Sequence, residues 1–239
     1  MVKKEETAIV PQRTDLMTII DQEDEGAYTF IAPRVSLVSQ AQAFKNNLTG
    51  EMSPEIVGII IASRTVRAFW ATQQGGSPVC ASTDGKTGIA LESDTFRDVL
   101  PADTDINPYE PMTCKLCPFN QWDSGRGGKG KACKEMRRLL IIPETSDVPL
   151  VLSLPPTSLM NFNLYASAQR TLKERYYTVT TKIKAEKAEN ENKIVYSKVV
   201  FERVAPLEDT KLAQVITLRN EFEAIIRQTV EVEDYGATD

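Results

Sequence analysis

Short apolar runs and alternating hydrophobic and polar positions predict β-strands along most of the chain. Continuous apolar runs are typical of buried strands, and strict alternation is typical of strands with one face in water. Together these patterns predict strands at 29–38 (interrupted by Pro33), 56–61, 65–70, 138–143 and 148–154. Since Pro33 cannot donate a hydrogen bond to a sheet, the first of these strands is predicted to be interrupted there.

The second half of the chain carries the clearest secondary-structure signals. Alternation on both arms predicts a β-hairpin from 176–184 and 193–203, joined by a charged tip. Prolines and hydroxyl residues at 155–158 are typical of a helix start, and apolar residues at helical spacing follow as far as Leu172. An apolar stripe predicts a last helix over 208–228.

The order of these elements predicts an α+β protein, mainly β with peripheral helices. Residues 1–27 are polar and without periodicity, so we expect a flexible N-terminal arm. Residues 28–228 are predicted to form a single β-rich domain with a metal-binding subdomain at about 78–138. Residues 229–239 form a short acidic C-terminal tail.

Composition and charge narrow the function classes. No apolar run approaches the roughly eighteen residues of a membrane helix, and the first residues lack the apolar segment of a secretion signal. We therefore expect a soluble, intracellular protein with no membrane partner. The net charge is −5, but between Cys114 and Arg138 seven basic residues face two acidic ones. That segment is a basic island (+5) on an acidic background (−10).

Four cysteines in a chain without histidine form the strongest chemical signal: Cys80, Cys114, Cys117 and Cys133. The Cys114-Lys-Leu-Cys117 spacing places two thiolates on one tight turn, as neighbouring corners of a tetrahedral zinc site require. Cys133 supplies a third corner and Cys80 the fourth. An all-thiolate structural Zn²⁺ site would use every cysteine of the chain.

Other uses of four cysteines stay open. Two disulfides would require an oxidising compartment, which the absence of a secretion signal disfavours. A redox pair at Cys114 and Cys117 would leave Cys80 and Cys133 without a role. An iron–sulfur cluster accepts four thiolates as readily as zinc does.

The glycine-rich segment Gly125-Arg-Gly-Gly-Lys-Gly-Lys131 lies between the second and third cysteines of the basic island. Glycines let backbone N–H groups approach phosphates, but Ala132 stands where a nucleotide-binding P-loop needs the hydroxyl that holds Mg²⁺. Aromatic residues beside basic ones are instead typical of a surface that binds single-stranded nucleic acid. The candidate nucleic-acid-binding residues are Trp70, Phe119, Trp122, Arg126, Lys129, Lys131, Lys134, Arg137 and Arg138. The alternative is that the aromatic residues pack over the cysteine turn and the bases are merely solvated.

Catalysis has little support in the sequence. Without histidine there is no Ser-His-Asp or Cys-His arrangement, and a four-thiolate site leaves no open position for a metal-bound water. The carboxylates Asp84, Glu92, Asp94 and Asp98 keep metal-dependent nuclease chemistry formally open, although their spacing singles out none of them. We expect a protein that is not an enzyme.

Three segments together resemble a family of bacteriophage proteins associated with single-stranded DNA binding. They are the stretch from Trp70 to Cys80-Ala-Ser-Thr-Asp-Gly85, the cysteine segment from Cys114 to Arg138, and Leu154-Pro-Pro-Thr-Ser158. The resemblance covers about residues 28 to 205. It implies an OB-like β-barrel core with a zinc-ribbon or knuckle insertion, and binding to unwound phage DNA in an infected bacterial host. Relatives of this kind often recruit replication proteins through an acidic tail, whereas the aromatic Tyr235 of this tail is internal.

The sequence therefore predicts sequence-nonspecific binding of single-stranded DNA in phage-type DNA replication, recombination or repair, with Zn²⁺ in a structural role. Neutralising about five phosphates would give a slope of log K against log salt near roughly −3.5. The alternative is a zinc-stabilised protein-interaction, transcription-regulatory or virion scaffold protein whose basic loop meets an acidic partner. The sequence leaves a homo-oligomer open.

Overall fold

A computed structural model of the protein describes residues 32–72, 77–189, 193 and 195–227, which all belong to one compact unit spanning 32–239. The predicted arm (1–27) and acidic tail (229–239) lie outside the described residues. Eleven strands are described: β1 (Arg34–Val38), β2 (Ala43–Asn46), β3 (Met52–Ser53), β4 (Glu55–Phe69), β5 (Cys80–Ser82), β6 (Thr87–Ala90), β7 (Met112–Thr113), β8 (Lys134–Pro143), β9 (Leu150–Leu154), β10 (Val179–Glu189) and β11 (Val195–Pro206).

The helices are fewer and lie between or after the strands. They are α1 (Ser93–Val99), α2 (Leu159–Thr171), α3 (Asp209–Glu221) and α4 (Glu223–Ile226), with short 3₁₀ turns at Pro118–Asn120, Arg126–Gly128 and Pro156–Ser158. The protein is thus mainly β with a few helices, which confirms the predicted α+β class. Within the described ranges, no helix is both long enough and apolar enough to cross a membrane.

The strands form one curved sheet built around β4. The order β3-β2-β1-β9-β8-β4 continues on the far edge of β4, where β10 pairs with residues 55–58 and β5 with residues 67–69. Pairing is antiparallel except between β1 and β9. Two strands from distant parts of the sheet order come close together. Ser197 Oγ on β11 donates a 2.9 Å hydrogen bond to the carbonyl of Ser39, directly after β1.

One strand replaces two that the sequence predicts. The segments 56–61 and 65–70 join in the continuous fifteen-residue β4, so the prediction of separate strands is wrong. No turn residue interrupts Ala62-Ser-Arg64, and the chain passes from one run to the next by a register shift against β8 between Ile60 and Ala62. Such a bulge bends a strand without ending it. As a result, β4 pairs with β10 before the bulge and with β5 after it.

The other predicted elements are confirmed with small shifts of their ends. They are the part of the first predicted strand that follows Pro33 (β1), the strands β8 and β9, the helix α2, and the hairpin β10–β11. Residues 29–31 of that first predicted strand lie outside the described residues. The predicted last helix is interrupted at Phe222 and becomes α3 and α4. Helix α1 and the short strands β2, β3, β5, β6 and β7 are not predicted by the sequence pattern.

Two apolar clusters lie on opposite faces of the sheet. One fills the concave side, where Phe162 and Tyr165 of α2 pack against residues such as Ile60 and Leu139. The other lies under the C-terminal helices, where Val215 packs with Ile59, Ile61, Leu140, Ile142, Val151, Ile225 and Ile226. Helix α2 therefore closes one face, and α3 and α4 cover part of the other.

Candidate functional site

The candidate site is a small subdomain inserted between β4 and β8, from residue 70 to residue 133, of which residues 73–76 are not described. It has an apolar cluster of its own, in which Phe69, Phe96 and Met112 pack with cysteine side chains. Phe119 stacks on Phe69 with ring centroids 4.0 Å apart. This cluster fixes the subdomain to the end of β4.

Three separate elements present the four cysteines. Cys80 opens strand β5, and Cys133 directly precedes β8. Cys114 and Cys117 lie on the tight turn after β7, where the Cys117 amide donates a 3.4 Å hydrogen bond to the Cys114 carbonyl. All four side chains are buried and none forms a disulfide.

The four thiols line a single small cavity. Its volume is about 10 Å³, close to the space that one water-sized particle occupies. Gly88 forms another part of its wall, since a Cβ placed on Gly88 would lie 3.4 Å from Cys114 Sγ and 3.5 Å from Cys80 Sγ. Gly88 thus lies beside two sulfur atoms, one at the start of β5 and one on the turn after β7.

The sulfur atoms face this cavity but are not gathered at ligand spacing. Over the described ranges, no group of three or more cysteine or carboxylate side chains stands close enough together to hold a metal ion. Burial, followed by the charges of Cys133, Cys117 and Cys114, raises the pKa of Cys80 to about 12. Burial and the neighbouring Cys117 and Cys114 likewise raise the pKa of Cys133 to about 12. Without a cation among them, the thiols are therefore protonated at neutral pH.

Groups around the cysteines act in the opposite direction and favour thiolate. Burial raises the pKa of Cys117, but the backbone N–H groups of Phe119 and Asn120 hydrogen-bond to its sulfur and lower the pKa. Burial raises the pKa of Cys114, while the Ser82 hydroxyl and the Arg67 guanidinium lower it. Hydrogen-bond donors and a cation therefore surround these sulfur atoms even without a metal.

A buried side chain, Asn120, holds the turn together. Its Nδ2 donates a 2.7 Å hydrogen bond to the Cys114 carbonyl, and its Oδ1 accepts hydrogen bonds from Arg67 Nη1 at 2.7 Å and Lys131 Nζ at 3.3 Å. Arg67 also forms an ion pair with Glu135. The sequence analysis missed Arg67 and Asn120, although the position of an amide three residues after Cys117 was a usable signal.

The glycine-rich segment forms a compact loop closed at its base. Gly125 N–H donates to the Gly130 carbonyl at 3.1 Å, and Ser124 Oγ accepts from the Ala132 amide at 3.0 Å. Gly127 and Gly128 both have positive φ, 65° and 69°, a conformation that residues with a Cβ adopt at a cost. The loop therefore projects its side chains outward from a tightly turned backbone.

Five of the predicted nucleic-acid-binding residues lie on the surface of this loop or at its base. Trp122 is 76% exposed, and Lys131 Nζ lies 5.6 Å from the centre of its ring. Arg126, Lys129 and Lys134 are exposed, and Lys131 is half-buried. Leu116, which the sequence analysis did not select, is 75% exposed on the cysteine turn. An exposed indole and four cations thus lie on this loop or at its base.

The remaining four predicted residues lie elsewhere. Arg138 is fully buried, and the Arg137 guanidinium lies 5.5 Å from the ring centre of Phe162 in the core. Phe119 is half-buried in its stack on Phe69, and Trp70 packs half-buried beside the cluster that contains Met136. Direct contact of Arg138 with a ligand is excluded in this arrangement, because β8 turns its side chain inward under the C-terminal helices.

Three of the four carboxylates considered for nuclease chemistry, Asp84, Asp94 and Asp98, have structural partners. Asp84 Oδ1 accepts hydrogen bonds from the Lys86 and Thr87 amides and from Ser82, and these donors lower its pKa to about 2. Asp94 and Asp98 both pair with Arg97 on α1. The contacts of Asp84 stabilise the turn after β5, and those of Asp94 and Asp98 are ion pairs on the surface of α1.

Comparison with protein-family models, curated proteins and solved structures finds no match for this chain. The functional argument therefore rests on the geometry of the subdomain and of the sheet that carries it.

Proposed function

We propose that the protein binds single-stranded DNA without sequence specificity through the exposed side of the cysteine subdomain. The observation that carries the proposal is Trp122, which is 76% exposed beside the half-buried Lys131. The exposed cations Arg126 and Lys129 lie on the same loop, and exposed Lys134 lies at its base. Burying an indole is favourable, so an indole left in water is available to a ligand. An unpaired base stacks on its face while the cations contact the phosphates.

The strand order supports an OB-like core beneath this loop. Strands β4, β8 and β9 form an antiparallel meander, and β10 returns after α2 to pair with the free edge of β4. This spatial order, 4-1-2-3, is a Greek key, and β11 adds the fifth strand. OB folds bind oligonucleotides with the loop between their first two strands. In this chain the cysteine subdomain occupies that position.

The same subdomain is proposed to hold one structural Zn²⁺ through Cys80, Cys114, Cys117 and Cys133. Four sulfur donors around one cavity, with no open position for substrate, match a structural zinc site. The amides that face Cys117 and the cations Arg67 and Lys131 near Cys133 offset the negative charge of four thiolates. The sulfur atoms would have to move closer together to bind one ion, and rotation between staggered χ1 rotamers is the smallest change that moves them. Bound zinc would supply the cation that favours thiolate over thiol. It would also fix the loop at both ends, through Cys117 before it and Cys133 after it.

Zinc content tests the metal site directly. Native mass spectrometry of the intact protein should show one zinc per chain, and chelation should remove it together with a large loss of thermal stability. Cys117→Ser should abolish stoichiometric zinc, and Cys80→Ser should weaken binding as a fourth ligand would. Iron with visible absorbance, or a chain that never binds zinc, would contradict this part of the proposal.

Quenching of tryptophan fluorescence tests the DNA site. An oligo-dT of about 16 nucleotides should quench Trp122, and Trp122→Ala should raise the Kd by about tenfold, the loss expected for one stacked base. Leu164→Ala is the matched control, because Leu164 is a comparably exposed apolar residue (62%) on α2. Equal affinities for the two variants would contradict a stacking role for Trp122.

The resemblance to phage proteins extends the proposal to DNA replication, recombination or repair. Binding to single strands exposed by unwinding would need no base-specific contacts, in keeping with a surface made of one indole and several flexible cations. Preference for single-stranded over duplex DNA in competition is the result that this assignment requires.

A further inference from the structure

The turn that carries Cys114 and Cys117 exposes a second apolar side chain besides Trp122. Leu116 is 75% exposed, against 76% for Trp122, and these are the two highest values among the large apolar residues that the structure describes. A leucine side chain gains free energy when it leaves water. Because a single exposed leucine is ordinary in a protein, the surroundings of Leu116 decide whether it belongs to a binding site.

The backbone on both sides of Leu116 is held in place. Gln121 Nε2 donates hydrogen bonds to the Lys115 carbonyl at 2.9 Å and to the Cys117 carbonyl at 3.0 Å. The Leu116 amide donates to the Thr113 carbonyl at 3.0 Å. A rearrangement that buried Leu116 in the protein would therefore break hydrogen bonds of the turn, each of which contributes to stability.

The same glutamine connects Leu116 to Trp122. Gln121 directly precedes Trp122, its amide donates to the Pro118 carbonyl at 3.1 Å, and its carbonyl accepts from Ser124 Oγ at 2.6 Å. The side chain of Gln121 thus holds the peptides beside Leu116, while its backbone is fixed next to Trp122. The two apolar side chains extend from one hydrogen-bonded unit, and the reach of one glutamine side chain limits the distance between their backbones.

Positive charge accompanies both apolar residues. Lys131 Nζ lies 5.6 Å from the centre of the Trp122 ring, and exposed Lys115 directly precedes Leu116. From 114 to 134 the sequence contains five basic residues and a single acidic one. A single DNA strand offers apolar bases together with anionic phosphates, so its chemistry is complementary to this combination.

The chemistry of leucine indicates which part of a base it contacts. An indole stacks on the face of any base, whereas an aliphatic side chain has no aromatic face of its own. Among the edges of the DNA bases, the apolar group is the C5-methyl of thymine, and apolar side chains recognise thymine by contact with it.

We infer that Leu116 is a second base-binding residue of the proposed DNA site, and that it contacts the C5-methyl group of a thymine in the strand that stacks on Trp122. This inference rests on the proposed DNA-binding function. It adds a modest preference for thymine over uracil, and hence for DNA over RNA. Strands without thymine still bind, because stacking on Trp122 and phosphate contacts do not depend on the base.

Two deoxyribose oligonucleotides that differ only in this methyl group, oligo-dT and oligo-dU, test the contact with the full-length protein. Leu116→Ala should raise the Kd for oligo-dT by about fourfold, the effect of one buried methyl-sized group, and leave the Kd for oligo-dU largely unchanged. Comparing the two losses is a double-mutant cycle between Leu116 and the methyl group, in which the contribution of Trp122 cancels. Leu116→Met keeps an apolar side chain of similar volume and should retain the preference for oligo-dT.

Leu48→Ala is the matched control. Leu48 is 74% exposed and lies between β2 and β3, at the opposite end of the strand order from the subdomain strands β5, β6 and β7. Its loss should leave both Kd values unchanged. Leu116→Ala should also keep the slope of log K against log salt, since no phosphate contact is removed, and the thermal stability of the unmodified protein.

The outcomes separate this inference from the proposed function. If the unmodified protein does not bind oligo-dT, the proposed function fails and the inference fails with it. If the protein binds oligo-dT through Trp122 but Leu116→Ala binds as tightly as Leu48→Ala, only the role of Leu116 is disproved. An equal loss of affinity for oligo-dT and oligo-dU in Leu116→Ala would also disprove it, because the methyl group would then not be the contact.

Discussion

Arg67 Nη1 donates a 2.7 Å hydrogen bond to Asn120 Oδ1, and this contact joins the long strand β4 to the turn that carries Cys114 and Cys117. Asn120 is 8% exposed and also binds the Cys114 carbonyl through Nδ2. Arg67 in turn is paired with Glu135 at the start of β8. The sheet therefore sets the position of the cysteine turn through one polar chain of contacts.

Replacing Asn120 should loosen the cysteine turn. Asn120→Ala removes both ends of the amide and leaves the Arg67 and Cys114 groups without this partner, which should cost about 1–3 kcal/mol of unfolding free energy. Urea unfolding of the zinc-loaded protein checks the loss, and competition with a chelator should show weaker zinc binding. Asn163→Ala, at an exposed position on α2, is the control. Equal stability of the two variants would contradict the role given to Asn120.

Phe119 should matter for stability rather than for DNA affinity. Its ring is stacked on Phe69 at 4.0 Å and packs edge-on against Phe96. Phe119→Ala should cost about 3 kcal/mol, and Phe119→Leu less. When both are assayed at a temperature where they are folded, their Kd for oligo-dT should stay within about twofold of the unmodified protein, unlike the loss of stacking energy expected for Trp122→Ala. A large affinity loss in a folded Phe119→Leu protein would place Phe119 in the binding surface.

The ion pair between Glu174 and Arg203 should make stability depend on pH. Arg203 donates two hydrogen bonds to the carboxylate, at 2.6 and 2.7 Å, and they lower the pKa of Glu174. A lowered folded-state pKa stabilises the protein above the unfolded value of about 4.3, and the effect is lost as the pH falls through the folded pKa. Glu174→Gln should therefore destabilise the protein more at pH 7 than at pH 3.

Urea unfolding at the two pH values measures this difference. Glu202→Gln is the control, because Glu202 pairs with Lys184 on the exposed hairpin, where a salt bridge contributes little. A Glu174→Gln deficit that is the same at both pH values would show that the interaction is not an ion pair in solution.

The loop cations should act through phosphates. Lys129→Ala removes one exposed cation and should weaken oligo-dT binding while making the slope of log K against log salt less negative by about 0.7. Lys187→Ala removes another exposed lysine, near the end of the hairpin strand β10, and should leave both quantities unchanged. Equal effects of the two changes would indicate a response to total charge instead of a local site.

Local pattern was enough to predict the fold class, the hairpin, helix α2 and the strands β8 and β9. It failed at β4, because the residues between its two apolar runs carry no signal for a bulge, which depends on pairing with β8. The small strands β5, β6 and β7 are two to four residues long. Such short strands are set by the packing of the subdomain and leave no periodicity to detect.

The sequence predicted which residue types belong to the candidate site better than it predicted where their side chains lie. The cysteine spacing predicted that four cysteines belong to one site, and the fold places all four around one cavity. The basic island mixed two kinds of position, because Lys134 is exposed whereas Arg137 and Arg138 continue along β8 into the core. The charges in the sequence do not distinguish exposed basic residues from buried ones. Whether a side chain points inward is set by the strand register and by the helices that cover the sheet.

The measurement that tests the central claim most directly is fluorescence anisotropy of a labelled oligo-dT at several salt concentrations, with matched duplex as competitor. Contact of one phosphate with each of the four cations on the loop and at its base, Arg126, Lys129, Lys131 and Lys134, gives an expected slope of log K against log salt near roughly −2.8, with clear preference for the single strand. The absence of binding at low salt, or an affinity that does not change with salt, would contradict the account.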